Sequence, residues 1–225
     1  MRKYNLIMVA ILTIVLLLSF VACNNEGAGE KLPSNVSYAE FEVYCGQSNS
    51  FFVEISAGKR EQPLNADGLT KNVSDFFEIK LLPFKVSNFN LCYVVVTGES
   101  GKIEGEAKIS MTDNEFIFTS LNKVKIGNLK SVTIKFGDAE ENIELTNMLL
   151  NNINWESALE IAKGEFKERL DADTSNSSRE IFVKLTRDRR AVSGNYFWYV
   201  CYIGQTNDFW SLLIDAKDGT IIAKR

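Results

Sequence analysis

Four cysteines and several clusters of carboxylates are the side chains of this 225-residue sequence that are best suited to chemistry, and there is no histidine to work with them. Without histidine, neither a Ser–His–Asp nor a Cys–His catalytic arrangement can form, and His-ligated zinc is excluded. Neither a G-x-S-x-G nucleophile motif nor a G-x-x-x-x-G-K-[ST] phosphate-binding motif occurs. The sequence therefore favours a binding protein over an enzyme, and it predicts no cofactor.

Two acidic clusters can be weighed as catalytic or metal sites. Glu140, Glu141 and Glu144 could act as general acid and base in glycoside hydrolysis, but adjacency in sequence does not set the separation of about 5–10 Å that two such carboxyls need. Residues 171–177 place Asp or Ser at alternate positions, but they lack the sixth-position Gly and twelfth-position Glu of a calcium-binding loop. Surface charge and a solvated loop are the favoured interpretations.

The charge balance argues against nucleic acid as a partner. The net charge is −4, and it becomes −6 without residues 1–22, which contain two basic side chains. A mildly acidic chain without a long basic run repels phosphate backbones. The short cluster Arg187-Asp188-Arg189-Arg190 could meet an anionic polymer or a lipid headgroup, but a solvated turn between two strands is the favoured interpretation.

The first 23 residues have the layout of an export signal. Arg2 and Lys3 precede an uncharged, mostly apolar run over residues 6–22, which stops at Cys23. This segment resembles a bacterial lipoprotein signal peptide. The resemblance implies that Cys23 is acylated and becomes the first residue of a mature protein, which is then held in the cell membrane on its extracytoplasmic face. An uncleaved signal anchor and a soluble secreted protein are the two alternatives.

Three cysteines remain once Cys23 is committed to lipid, so they cannot all pair within one chain. A bridge between Cys45 and Cys92 is one interpretation. Buried free thiols, which also include Cys201, are the favoured one.

A β-rich domain is predicted after a flexible tether over residues 23–37. Seven or eight short strands alternate between apolar and polar residues over residues 38–138, from FEVYC at 41–45 to VTIKF at 132–136, and turn clusters such as NADG and GESG separate them. This pattern predicts a β-sandwich of immunoglobulin-like architecture.

The apolar period changes in the last part of the chain, residues 150–225. Trp155, Ala158, Leu159, Ala162 and Phe166 recur at helical spacing, and Asn154 is placed to cap the helix. Four segments follow in which the side chains alternate with a period of two residues: IFVKL at 181–185, YFWYVCYI at 196–203, FWSLLID at 209–215 and TIIA at 220–223. The prediction is an α+β unit with one helix on a four-stranded antiparallel sheet.

This C-terminal segment resembles a PepSY domain. The resemblance is carried by the helix WESALEIA at 155–162, the aromatic strand YFWYV at 196–200, and the closing strand and turn LIDAKDGTII at 213–222, in which Gly219 permits a positive φ. It implies a binding or peptidase-restraining module that contributes no catalytic residues.

The aromatic strand carries apolar side chains on both of its faces, whereas a single helix covers only one face of a sheet. The candidate partner surface consists of Tyr196, Trp198, Tyr199, Tyr202 and Trp210. The alternative, which is favoured, is a central strand buried on both sides within the chain.

The expected function is therefore that of a lipid-anchored extracytoplasmic protein that binds or restrains an envelope protein, such as a peptidase. A solute- or polymer-binding lipoprotein that uses the loops of the β-rich domain is the alternative. A histidine-free hydrolase ranks below both.

Overall fold

The computed structural model describes residues 32–85, 91–110, 114–121, 128–173, 179–187, 194–205 and 208–225. Residues 34–225 form one compact unit. Cys23 and the predicted signal lie outside the described residues. None of the helices in the described ranges is long and apolar enough to span a bilayer.

Seven of the first nine strands lie in the part of the chain predicted to be β-rich, and their alternating apolar residues turn toward a shared core. The strands are β1 (Val36–Gln47), β2 (Phe51–Glu61), β3 (Val73–Pro83), β4 (Leu91–Gly98), β5 (Lys102–Ile109), β6 (Phe116–Ser120), β7 (Leu129–Phe136), β8 (Ala139–Glu144) and β9 (Thr146–Asn147). Val53 and Ile55 of β2, Ile79 of β3 and Val94 of β4 are among the buried side chains of this core. Tyr44 of β1 also lies in it and is paired with Asn147 of β9, so the sheet curls back on itself.

Two helices and four strands make up the rest of the described chain. They are α1 (Trp155–Glu165), α2 (Lys167–Ala172), β10 (Glu180–Arg187), β11 (Tyr196–Ile203), β12 (Phe209–Asp215) and β13 (Ile221–Lys224). The predicted cap of α1 is confirmed, because the Asn154 side chain accepts a hydrogen bond from the Ser157 amide. All five apolar positions predicted for the helix face are buried. The last four strands pair antiparallel in chain order.

A parallel pairing joins the two parts of the chain into a single sheet. Val36 of β1 lies opposite Ile181 of β10, and Ala39 lies opposite Val183. The strand order is β13-β12-β11-β10-β1-β2-β3-β6-β5-β4-β7-β8, with β9 on β1. Within the described residues, therefore, thirteen strands share one hydrogen-bonded sheet.

The β-rich fold class is confirmed, whereas the sandwich arrangement stays a prediction. Two strands, β8 and β9, follow position 138, where the predicted β-rich domain ends. The sequence gives little indication of β8 because Ile143 is its only buried side chain. The apolar alternation of the sequence also predicts a strand over residues 124–126, which lie outside the described residues.

Candidate functional site

The sheet formed by β10, β11 and β12 has one face covered by α1 and a second face that α1 does not reach. On the covered face, Trp198 donates a hydrogen bond from Nε1 to the Ile153 carbonyl at 2.8 Å, and Tyr202 packs edge-on against Phe166. Side chains alternate across a strand, so the residues between these point the other way. We call the second face the open face and define it by five residues: Phe182, Tyr199, Cys201, Ile203 and Phe209.

Strand register brings the open-face residues together. Phe182 of β10 lies opposite Cys201 of β11, and Ile203 of β11 lies opposite Phe209 of β12. With Ala66 they line a concave pocket of about 370 Å³, the open-face pocket. This volume falls within the range of about 300–1,000 Å³ that is typical of small-ligand sites. Every lining side chain is apolar or aromatic apart from the Tyr199 hydroxyl and the Cys201 thiol.

The connection between β2 and β3, residues 62–72, supplies Ala66 to the rim of the pocket. The Glu61 carboxylate closes this connection by accepting hydrogen bonds from the amides of Lys71, at 2.7 Å, and Asn65, at 3.4 Å. Glu61 is buried, and a buried carboxylate must find such donors because its desolvation is costly.

A second buried carboxylate holds the same connection against the C-terminal sheet. Glu180 of β10 accepts a hydrogen bond from the Gly68 amide at 2.8 Å and another from the Ser37 hydroxyl at 2.6 Å. Gly68 has a φ of +82°, and a Cβ atom there would lie 2.6 Å from the backbone of Gly204 and Gln205. Only glycine satisfies both conditions without strain.

The electrostatics of the pocket are those of an apolar site with a cation, Arg225, at its rim. Burial raises the pKa of the Tyr199 hydroxyl, and the Arg225 guanidinium acts in the opposite direction. Burial also raises the pKa of Cys201, so this thiol is a poor nucleophile. The arrangement suits the binding of an apolar group rather than acid–base or nucleophilic catalysis.

A charged crevice lies where β1 and β10 separate. Beyond Ala39 and Val183, β1 has an irregular register between Glu40 and Glu42, and the two strands no longer pair. Here the Glu40 side chain, instead of a backbone carbonyl of β1, accepts a hydrogen bond from the Leu185 amide at 2.8 Å.

The Glu40 carboxylate is 1% exposed and has a second donor, the Tyr38 hydroxyl at 2.7 Å. Burial raises the pKa of Glu40 to about 7, although the charge of Lys184 opposes the shift. The adjoining cavity of about 50 Å³ is lined by charges of both signs, including Glu54, Lys80 and Lys184. It is large enough for a few water molecules and is well below the range of about 300–1,000 Å³ that is typical of small-ligand sites.

The predicted partner-surface residues are divided between the two faces. Trp198 and Tyr202 are buried on the covered face, and Trp210 packs there against Phe166. Tyr196 is partly buried and interacts with the Cys45 thiol near the charged crevice. Only Tyr199 lies in the open-face pocket. The aromatic strand is therefore covered by α1 on one face and only partly covered on the other.

The three cysteines other than Cys23 are buried and free, as the favoured interpretation predicts. Burial raises the pKa of both Cys45 and Cys92 to about 12.

Among the described residues, no group of three or more potential metal ligands lies together. Glu141 instead accepts a hydrogen bond from the Ser50 hydroxyl, and Glu140 pairs with Lys135. Residues 174–177 of the candidate calcium loop and residues 188–190 of the basic cluster lie outside the described residues. Arg187 itself ends β10, with its guanidinium 3.7 Å from the centroid of the Phe52 ring.

Sequence reasoning did not identify Ala66, Phe182, Cys201, Ile203 or Phe209 as parts of a site. Phe182 and Phe209 carry a usable signal, because each occupies an apolar position in a period-two strand. Their proximity depends on strand register, which short strands with apolar residues on both faces do not specify. Ala66 carries no signal, because its position depends on how residues 62–72 dock through Gly68 and Glu180.

Comparison with known proteins gives no match to a family model, to a curated protein or to a solved structure.

Proposed function

We propose that this protein is a membrane-anchored extracytoplasmic lipoprotein that acts as a non-catalytic binding or restraining module. In this proposal acylated Cys23 holds the protein in the bilayer, and the open-face pocket holds an envelope protein such as a peptidase. The finer fold assignment, a β-sandwich followed by a PepSY-like unit, belongs to the same proposal.

The observation that carries the proposal is the open-face pocket itself. Its six lining residues come from strands β10, β11 and β12 and from residues 62–72. Phe209 stays 38% exposed at its edge, and Leu64 and Leu69 in the adjoining connection are also exposed. Grouped apolar and aromatic side chains at a concave surface are typical of the anchors of protein interfaces.

The PepSY-like assignment is supported by local geometry. Gly219 has a φ of +79°, and its amide donates to the Asp215 carbonyl at 2.9 Å, so the closing turn has the conformation that its motif requires. A single helix on an antiparallel four-stranded arrangement is also the architecture that the resemblance implies.

The test is an affinity purification of the full chain from cross-linked membranes, followed by mass spectrometry of the bound proteins and of Cys23. Phe209→Asp places a charge in the open-face pocket, and Leu150→Asp makes the same kind of change at a residue that is 77% exposed between β9 and α1. We expect a protein that the wild-type chain retains to be lost with Phe209→Asp and kept with Leu150→Asp. Equal retention by both variants would remove the open-face pocket from the proposal.

A solute- or polymer-binding lipoprotein is the second candidate function. It is favoured by Ala66, since the connection between β2 and β3 contributes to the pocket. A small molecule or glycan that copurifies with the wild-type chain and is lost with Phe209→Asp, without any protein partner, would select this candidate.

A further inference from the structure

The open-face pocket calls for an occupant that is mainly apolar. Cys201 and Ile203 form a buried floor, while Phe182, Tyr199 and Phe209 stay partly exposed around it. An extended peptide presents every second side chain to one surface, and this spacing matches the pleated floor of a sheet. Aromatic residues that remain partly solvent-exposed at such a surface gain most by being covered with apolar groups.

Charged side chains around this pocket are mostly neutralised by partners of opposite sign. Asp67 pairs with Lys71 at 3.0 Å in the connection that carries Ala66. Asp208, next to Phe209, pairs with Arg179 at 2.7 Å. Arg179 also pairs with Asp173 at 2.7 Å, so each of these carboxylates already has a cationic partner.

Glu180 precedes Phe182 by two residues in β10 and lies on the same face of the sheet; burial, and after it the charge of Glu180, raises the pKa of Cys201. Both of its oxygens already accept hydrogen bonds, from Ser37 and Gly68, and the residue is fully buried. A ligand cation cannot reach this carboxylate.

Arg225 is the exception among the charges at the rim. Its guanidinium carbon lies 4.4 Å from the centroid of the Phe209 ring, and its charge reaches Tyr199. The Arg225 amide donates a hydrogen bond to the Ser211 carbonyl at 2.9 Å, and the Ser211 amide donates one to the Arg225 carbonyl at 3.1 Å. These two bonds hold Arg225 beside β12. In the described part of the chain, no carboxylate side chain forms an ion pair with it. The rim therefore offers a cation next to an apolar pocket.

We infer that the segment held in the open-face pocket is an extended, mainly apolar peptide that carries one carboxylate, and that Arg225 receives this carboxylate. This inference rests on the proposed function and specifies the chemistry of the partner. The apolar side chains of the peptide cover Phe182, Cys201 and Phe209, and its carboxylate meets the guanidinium over the Phe209 ring. An arginine next to an aromatic ring is well suited to this, because its planar fork can stack and bind a carboxylate at once.

The experiment measures binding of two fluorescein-labelled peptides, SFSLSFSE-amide and SFSLSFSQ-amide, by fluorescence anisotropy. The protein is the full chain in lipid nanodiscs, since detergent would compete for an apolar pocket. With wild-type protein we expect the acidic peptide to bind about threefold to tenfold more tightly than the neutral one, as for a partly exposed ion pair.

Arg225→Gln should abolish this preference while leaving the affinity for the neutral peptide within about twofold. Lys224→Gln is the matched control, because Lys224 pairs with Glu165 at 2.5 Å and should leave the preference unchanged. Phe209→Asp should weaken binding of both peptides. Circular dichroism and melting curves check that each variant is folded.

Three results would overturn the inference: no binding of either peptide to the wild-type protein, equal affinities for the two peptides, or a preference that survives in Arg225→Gln. None of these results depends on the membrane purification described above. A membrane partner that is lost with Phe209→Asp, combined with equal peptide affinities, would leave the proposed function standing and reject only the peptide chemistry.

Discussion

At the scale of single residues, Glu40 shows how one side chain can replace a backbone hydrogen-bond acceptor at the point where two strands separate. The ladder between β1 and β10 ends at Ala39 and Val183, and Glu40 accepts the Leu185 hydrogen bond that a continuing strand would have taken. The carboxylate is buried with only Tyr38 as a further donor. Ionising such a group is costly, and this cost makes the stability of the fold depend on pH.

The free energy of unfolding should fall as the pH rises from about 4.5 to about 7. Burial raises the pKa of Glu40 from 4.5 to about 7, so over this range the unfolded chain has released the proton and the folded chain still holds it. The Glu40 contribution is therefore fully present below pH 4.5 and is lost as the pH approaches 7, at up to about 1.4 kcal/mol per pH unit.

Urea unfolding of wild type and Glu40→Gln at several pH values measures this contribution. The amide of glutamine can accept a hydrogen bond from Leu185 and donate one to Tyr38 without ionising. The free energy of unfolding of the variant should therefore depend less on pH than that of the wild type, and above pH 7 the variant should be the more stable of the two. Glu106→Gln, at an exposed position on β5, is the matched control. Parallel curves for the wild type and Glu40→Gln would show that Glu40 is not the group responsible.

At the scale of secondary-structure elements, α1 and the turn that follows β12 show that glycine has opposite roles in two places. Gly164 lies inside α1, and a Cβ atom there would meet nothing within 4 Å. Gly219 has a φ of +79°, and a Cβ atom there would lie 2.8 Å from Cδ1 of Ile161 in α1. The helix thus has an unnecessary glycine, while the turn beneath it requires one.

Replacing these two glycines by alanine should change stability in opposite directions. Gly164→Ala should stabilise the fold by about 0.5–1 kcal/mol, because alanine has the higher helix propensity. Gly219→Ala should destabilise it by about 1–2 kcal/mol, because a left-handed backbone is strained for any residue with a Cβ. Thermal melts of the two variants form a matched pair, and a change of the same sign in both would contradict the local geometry described for one of them.

At the scale of the whole molecule, the sheet crosses the place where the sequence predicts a division between a β-rich domain and a C-terminal unit. Parallel pairing of β1 with β10 and the docking of residues 62–72 through Glu180 and Gly68 both connect the two parts. Elements that share a sheet and buried hydrogen bonds are expected to unfold together.

Urea unfolding should therefore give a single transition for both parts. Trp155, Trp198 and Trp210 are all the tryptophans of the chain, so fluorescence reports on the C-terminal part. Pulsed labelling of the buried Cys92 thiol, read by mass spectrometry, reports on the β-rich part, and Cys201 provides an internal control. We expect the midpoints to coincide; a separation of more than about 0.5 M urea would show that the two parts unfold independently.

The sequence by itself determined the local elements where one periodicity dominated. The helix face from Trp155 to Phe166, the Asn154 cap, the limits of β11 and β12 and the positive φ of Gly219 all follow from short-range spacing. The polar strand β8 has too few apolar residues to show such a pattern.

Only the tertiary structure decided which face of the aromatic strand is available and what surrounds it. Helix α1 covers Trp198 and Tyr202 and leaves Tyr199 on the open face. Alternation along the strand separates these two sets of side chains but does not determine which set faces the helix. Residues 62–72 approach this face because a buried Glu180 needs the Gly68 amide, and the two lie more than a hundred residues apart in the chain. Contacts of this kind depend on strand register and on the pairing of buried polar groups, which local sequence does not encode.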